Sequence, residues 1–187
     1  MSVNTFAMFL VGMSMMQVDA VTDAEWATTI DVAGTQRMLS QKMSKEFLFI
    51  AQGFEVEVNK ANLAGSIKLF DEALNHLISG HNATGIVAAP TERVANGLQT
   101  VLDRWSPFKA QLQNNVDTIR DSSTGEVDLT VVEDVTDRTA KVAETSDEVL
   151  DLLVDAAKAS GATTDGKVVG IADRQRMLIQ KMCKESL

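Results

Sequence analysis

The sequence predicts an all-α fold, an antiparallel helical bundle of the four-helix type. Three observations carry that expectation. Four stretches repeat apolar residues in steps of three and four, the rhythm of a helix with one buried face. Tyr is absent and Trp occurs only twice among 187 residues, whereas strand-rich domains carry aromatic and β-branched residues in alternating runs. Pro also occurs only twice, at Pro90 and Pro107. Period-3.5 stripes joined by modest loops are buried most simply by packing antiparallel helices against one another.

The chain opens with "MSVNTFAMFLVGMSMMQVDA", apolar from Phe6 to Met16 apart from Gly12 and Ser14. That run is shorter than the roughly 20 apolar residues a membrane helix needs. It reads as the apolar part of a signal peptide covering residues 1–20, with "VDA" supplying small residues before a cut after Ala20. No Lys or Arg precedes the run, and the competing reading is an apolar start to the first helix. No later segment could span a membrane, and residues 21–187 form the domain.

The first helical stripe runs through Val32, Leu39, Met43, Phe47, Ile50 and Phe54. The second steps through Leu63, Ile67, Phe70, Leu74 and Leu77, and the third through Val94, Leu98, Val101, Trp105, Phe108 and Leu112. The fourth uses Val132, Val135, Val142, Val149, Leu153 and Ala156, with Thr139 and Ser146 at two of its steps. Loops are expected at Ser79–Pro90, Asp121–Asp128 and Ser160–Gly166. Pro90 stands where the third helix should start. Pro107 falls inside the third pattern and should kink or end it.

The formal net charge is −9, which argues against nucleic acid and against anionic lipid as partners, since no basic stripe could neutralise phosphates. Cys183 is the single cysteine, so no intrachain disulfide exists and the thiol reads as a small packing residue. Asn82-Ala83-Thr84 is a glycosylation triplet in a loop, meaningful only in a secreted eukaryotic chain. His76 and His81, near Asp71 and Glu72, match no metal-ligand spacing and read as solvated. There is neither a glycine-rich phosphate loop nor a Ser/His/Asp arrangement with a nucleophile elbow. The sequence therefore offers no catalytic residues, no metal and no cofactor, and does not read as an enzyme.

One phrase is written twice. "AGTQRMLSQKMSKE" (Ala33–Glu46) and "ADRQRMLIQKMCKE" (Ala172–Glu185) share Ala, Gln-Arg-Met-Leu, Gln-Lys-Met and Lys-Glu. On a helix turning about 100° per residue, Arg37 lies roughly 160° from Leu39 and so away from the apolar stripe. Around it fall Ala33, Ser40, Gln41 and Ser44, residues that let another backbone come close. This face reads as a second interface, toward a partner helix. An Arg there needs a counter-charge, yet Lys42 and Lys45 are also positive, and Asp31 and Glu46 lie toward the ends of the phrase. If two chains pair symmetrically through this face, two Arg37 side chains converge and repel unless an anion sits between them. A guanidinium's planar donors suit a flat oxyanion. The other readings leave Arg37 solvated, or paired with an acid of another helix such as Glu72 or Asp103.

These residues resemble the signature of the NarX-like or PilJ-type sensor domain, found in nitrate/nitrite sensor kinases and in the N-terminal domain of type IV pilus chemotaxis transducers. Ala33 to Lys45 matches that signature nearly throughout, "VLDRWSPFKAQL" (Val101–Leu112) resembles a later segment, and Ala172–Glu185 resembles the second copy of paired-motif members. The resemblance implies an extracytoplasmic (secreted, periplasmic or outer-face) helical module for signal transduction and chemotaxis. It would bind a small oxyanion, nitrate or nitrite, at a homodimer interface and would be linked to a membrane signalling partner. It assigns the anion contact to Arg37, with Gly34 and Gln41 as neighbours. Arg176 is secondary, because Asp173 and Ile179 replace Gly34 and Ser40 in its copy. No signalling domain follows before Leu187, so the chain reads either as a fragment of a longer receptor or as a stand-alone secreted relative. The alternative function is a structural helical interaction module with no small-molecule ligand.

Overall fold

A computed structural model describes residues 20–163. The leader up to residue 19, the second motif copy with Arg176, and Cys183 lie outside the described residues. Four α-helices make up the architecture: α1 (Asp23–Gln52), α2 (Val56–Ser79), α3 (Glu92–Asn115) and α4 (Leu129–Ala159). The expected all-α bundle is what the chain forms. Helix α1 packs against both α2 and α4, α3 packs against α4, and the α2–α3 seam is the loosest of the four.

Local chemistry fixes both ends of α1 and the starts of α3 and α4. Thr22 and Glu25 form a capping box at the start of α1, in which Thr22 Oγ1 accepts from the Glu25 amide at 3.3 Å and the Glu25 carboxylate accepts from the Thr22 amide at 2.8 Å. The pair satisfies two amide donors that a helix N-terminus otherwise leaves open. Those hydrogen bonds from Thr22 also lower the Glu25 pKa. Helix α1 stops at Gly53, which takes the left-handed conformation (φ 78°) while its amide bonds Ile50 O at 3.0 Å. A residue with a Cβ would be strained there. Phe54, expected on the first stripe, therefore falls past the helix end and is 53 % exposed, with its ring against that of Phe49 at 5.3 Å.

The other stripes bury as their spacing predicts. All five named residues of α2 and all six of α3 are in the core. In α4, Val132 and Ala156 are half-buried, and Ala157 takes the innermost place at that end. Pro107 does not end α3, which continues to Asn115. Its ring faces solvent, and the flanking buried rings of Trp105 and Phe108 hold the helix on both sides of it. Trp105 stacks on Phe70 at 4.1 Å and meets Phe108 edge-on at 5.8 Å. Its indole N–H donates to Asp71 Oδ1 at 2.6 Å, so the buried ring keeps its polar handle satisfied.

The connections are built as much as the helices. Thr91, directly after Pro90, caps α3 by accepting from the Val94 amide at 3.2 Å. Asp128 caps α4 by accepting from Thr130 and Val131 amides at 3.0 and 3.2 Å. The 79–90 loop is pinned to α1 where the Val87 amide donates to buried Thr29 Oγ1 at 2.9 Å. At the opposite end Arg120 Nη1 donates to the Ala51 carbonyl at 3.2 Å, bringing a positive charge to the end of a helix whose own last turn has none.

Candidate functional site

The middle of α1 departs from the ordinary pattern of one apolar face. Gly34, Arg37, Gln41 and Ser44 lie about one turn apart on one face of the helix, and all four are buried. Ala33 and Ser40 beside them are buried too, as the small-residue face requires. Arg37 is 1 % exposed. Its guanidinium is not solvated, and the helix it meets belongs to its own chain: Nη1 is ion-paired with Asp147 of α4. Glu72 and Asp103, the acids considered from sequence, are engaged elsewhere. Glu72 pairs with Lys68 at 3.7 Å and Asp103 accepts from Gln99 at 2.9 Å, both within their own helices. The acid that reaches Arg37 comes from α4, which packs directly on α1.

Asp147 satisfies one nitrogen. Arg37 Nε and Nη2 are buried and without a hydrogen-bond partner among the described residues, as are Gln41 Oε1, Ser44 Oγ and both polar atoms of the Gln36 side chain. Burying such groups unpaired costs roughly 1–3 kcal/mol apiece, so this many on two helical turns is unusual for a packed core. The Nε–H and one Nη2–H point along the same edge of the guanidinium, the edge that grips two oxygens of a planar anion at once. The Ser40 hydroxyl is spent on the Arg37 carbonyl at 2.8 Å and is not part of this set. Gln36 projects toward the bundle centre, where Leu74, Leu98, Ser146 and others enclose a cavity of about 10 Å³.

Lys42, one turn on, turns to α2. It pairs with Glu46 and donates to Ser66 Oγ at 2.7 Å, while that hydroxyl donates to the other Glu46 oxygen at 2.9 Å. The motif's second cation is thus neutralised away from Arg37. Asp71 is likewise occupied, by Trp105 and Lys109. His76 and His81 stack on each other at 4.1 Å, and His81 Nδ1 contacts Thr84 Oγ1 at 2.8 Å. Among the described residues no three His, Cys, Asp or Glu side chains gather as metal ligands, and no helix is long and apolar enough to cross a membrane.

Arg37, Gly34 and Gln41 therefore share one buried face, whereas Arg176 lies outside the described residues. Gln36 and Asp147 complete the polar cluster and were not expected. Gln36 left a signal, since it stands in the stripe Thr29, Ala33, Gln36, Ser40, Met43, Phe47, where an apolar residue would ordinarily go. Asp147 left none, because α4 carries several acids and the pairing spans 110 residues.

Comparison with known proteins bears on the family and the fold. No curated protein matches the chain. Among solved structures it is similar to the ligand-binding domain of the P. aeruginosa nitrate receptor McpN, at 25 % identity and a TM-score of 0.58, over 70 % of this chain and 96 % of that one. The family described as the type IV pili methyl-accepting chemotaxis transducer N-terminal domain matches residues 24–151, which include α1 to α3 and most of α4. These likenesses are to a transducer sensor domain and a receptor ligand-binding domain, and they place the chain among non-enzymatic signalling domains. With most of the chain matched, it belongs to the PilJ family of chemotaxis-transducer sensor domains.

Proposed function

We propose that this chain is an extracytoplasmic sensor domain that binds a small planar oxyanion, nitrate or nitrite, at Arg37. Two copies would pair through the motif face of α1 as a homodimer, which requires Arg37, tied to Asp147 of its own chain, to open toward the partner copy, and binding signals by shifting the packing of the helices. The observation that carries this reading is the buried guanidinium whose Nε–Nη2 edge has no partner among the described residues. A buried cation with spare donors is costly alone and favourable with a flat anion. The McpN domain, a nitrate receptor by name, is similar over most of this chain, which supports nitrate as the first anion to test. The ligand acts by its greater affinity for one of two helix arrangements, and only that difference can shift their populations. Gly34 lies one turn before Arg37 on the same buried face, and the Gln41 amide can turn a donor toward an oxygen. The site in the second motif copy, at Arg176, is the weaker of the two.

Calorimetry tests the site. Wild type takes up nitrate, and Arg37→Ala does not while keeping its helical circular dichroism. Unchanged affinity in that variant rules the site out. A second reading has its own support, because Arg37 already has a counter-ion inside the chain. Under it the motif is a structural contact between α1 and α4, and no small ligand binds. A ligand that binds only the folded form must raise the melting temperature with concentration. Melting temperatures that stay flat across nitrate and nitrite favour the structural contact.

A further inference from the structure

We infer that Asp147 is a built-in competitor for the anion, and that ligand binding is an exchange of counter-ions on Arg37 that releases α4 from α1. The inference rests on the oxyanion reading of Arg37 and adds what opposes the ligand and what moves when it arrives. The two members of the pair are buried very unequally: the Arg37 side chain is 1 % exposed and that of Asp147 is 35 % exposed. Asp147 is thus the member facing water, and the carboxylate lies on the solvent side of the guanidinium. An anion coming from solution meets Asp147 first.

The charge arithmetic favours exchange over addition. Arg37 and Asp147 together are neutral, so an anion added beside both would bring an uncompensated negative charge into a buried site. Swinging Asp147 into water as an anion settles on the Nε–Nη2 edge exchanges one counter-charge for another and keeps Arg37 neutralised throughout. The cost is small for a carboxylate already one-third exposed, and the anion gains contacts. Asp147 engages Nη1 alone, whereas a planar oxyanion can span Nε and Nη2 together. Lys42 and Lys141 do not substitute for Arg37 as Asp147's partner, since they pair with Glu46 and Asp137. Once displaced, Asp147 no longer ties α4 to the motif helix. The anion's differential affinity is therefore expressed at the α1–α4 contact, which is where a change of helix packing can begin.

The test is nitrate titration of wild type, Asp147→Asn and Arg37→Ala, read by calorimetry, together with the ¹³C carboxyl resonance of Asp147 in wild type with and without saturating nitrate. The expected result is tighter binding by Asp147→Asn, on the order of tenfold, because the competing state is removed. The wild-type resonance moves toward that of a solvated carboxylate. Binding by Asp147→Asn alone supports the inference equally. Equal or weaker affinity in Asp147→Asn beside a binding wild type overturns the inference and leaves the Arg37 site standing, with Asp147 as its anchor. Should Asp147→Asn not fold, an unmoved wild-type resonance under saturating nitrate overturns it on its own. No binding by wild type or by Asp147→Asn removes the oxyanion reading itself.

Discussion

Helices α1 and α3 are both long and both packed in the bundle, yet α3 buries apolar residues alone and α1 buries a polar set beside its apolar one. Helix α3 buries Val94, Leu98, Val101, Trp105, Phe108 and Leu112, all apolar and all on one stripe. Helix α1 buries sixteen residues, among them Thr29, Gln36, Arg37, Ser40, Gln41, Ser44 and Glu46. The first pattern belongs to a wall: one face inward, one face in water. The second belongs to a helix covered on more than one side, with a polar seam beside its apolar one. Apolar seams lower the free energy in proportion to area, whereas a buried polar seam stabilises only where its groups are satisfied and is costly where they lack partners. Where a fold keeps such a seam, its use is to be sought in binding or switching rather than stability.

The largest expected effect comes from breaking the wall. Trp105→Ala removes the ring that stacks on Phe70 and meets Phe108, and it leaves Asp71 with Lys109 alone. A truncation of this kind costs about 3–5 kcal/mol, measurable as a fall in the urea midpoint. A loss below 1 kcal/mol would show that α3 is not the stabilising element and would erase the contrast with α1.

The Arg37–Asp147 pair sharpens the contrast, because its two halves should respond unequally. Removing the acid leaves a guanidinium that is 1 % exposed without its counter-ion. Asp147→Ala should therefore cost about 3 kcal/mol, near the low end for a broken buried pair. Arg37→Met removes the buried charge, fills similar space with an apolar chain, and leaves Asp147 free to hydrate. Its cost should be within about 1 kcal/mol of zero, or of the opposite sign. Urea unfolding of both variants without anion decides it. Equal losses would mean that Arg37 stabilises the fold in its own right, as an α3 residue does.

The same contrast explains how much of the molecule could be read in advance. The apolar stripes of α2 and α3 were legible, because single-faced helices print their burial as a period of three and four; the buried Asn59 and Ser66 of α2 were not. The stripe of α1 was legible only in part. Leu39, Met43, Phe47 and Ile50 followed the period, but Phe54 fell past a left-handed Gly53 that ends the helix, a local backbone effect that no apolar spacing encodes. Of the two outcomes expected at Pro107, a kink or an end, the helix end is not what forms: α3 continues through it to Asn115. The second buried face of α1 was readable from the small residues around Arg37. Its partner was not, because an ion pair between residues so distant in sequence depends on the rotation of α4 and on which of its acids faces inward.

The smallest effect is expected in the loop that joins α3 to α4, which should answer to neither seam. Asp121 accepts from Ser123 Oγ at 2.5 Å, from the Thr124 amide at 2.9 Å and from the Ser123 amide at 2.7 Å. These hydrogen bonds, the hydroxyl first, lower its pKa from 3.8 to about 2. A depressed carboxylate contributes stability above its unfolded pKa and loses that contribution as pH falls through its folded one. The loop should therefore hold its turn at neutral pH and loosen only between 3.8 and about 2. An NMR titration of the Asp121 carboxyl should give a midpoint near the lower figure, and Asp121→Asn should abolish the accompanying change in the Ser123 and Thr124 amide resonances. A midpoint near 3.8 would mean that the turn is not formed in solution. The Arg120 anchor beside it, and with it the way α3 hands over to α4, would then depend on backbone contacts alone.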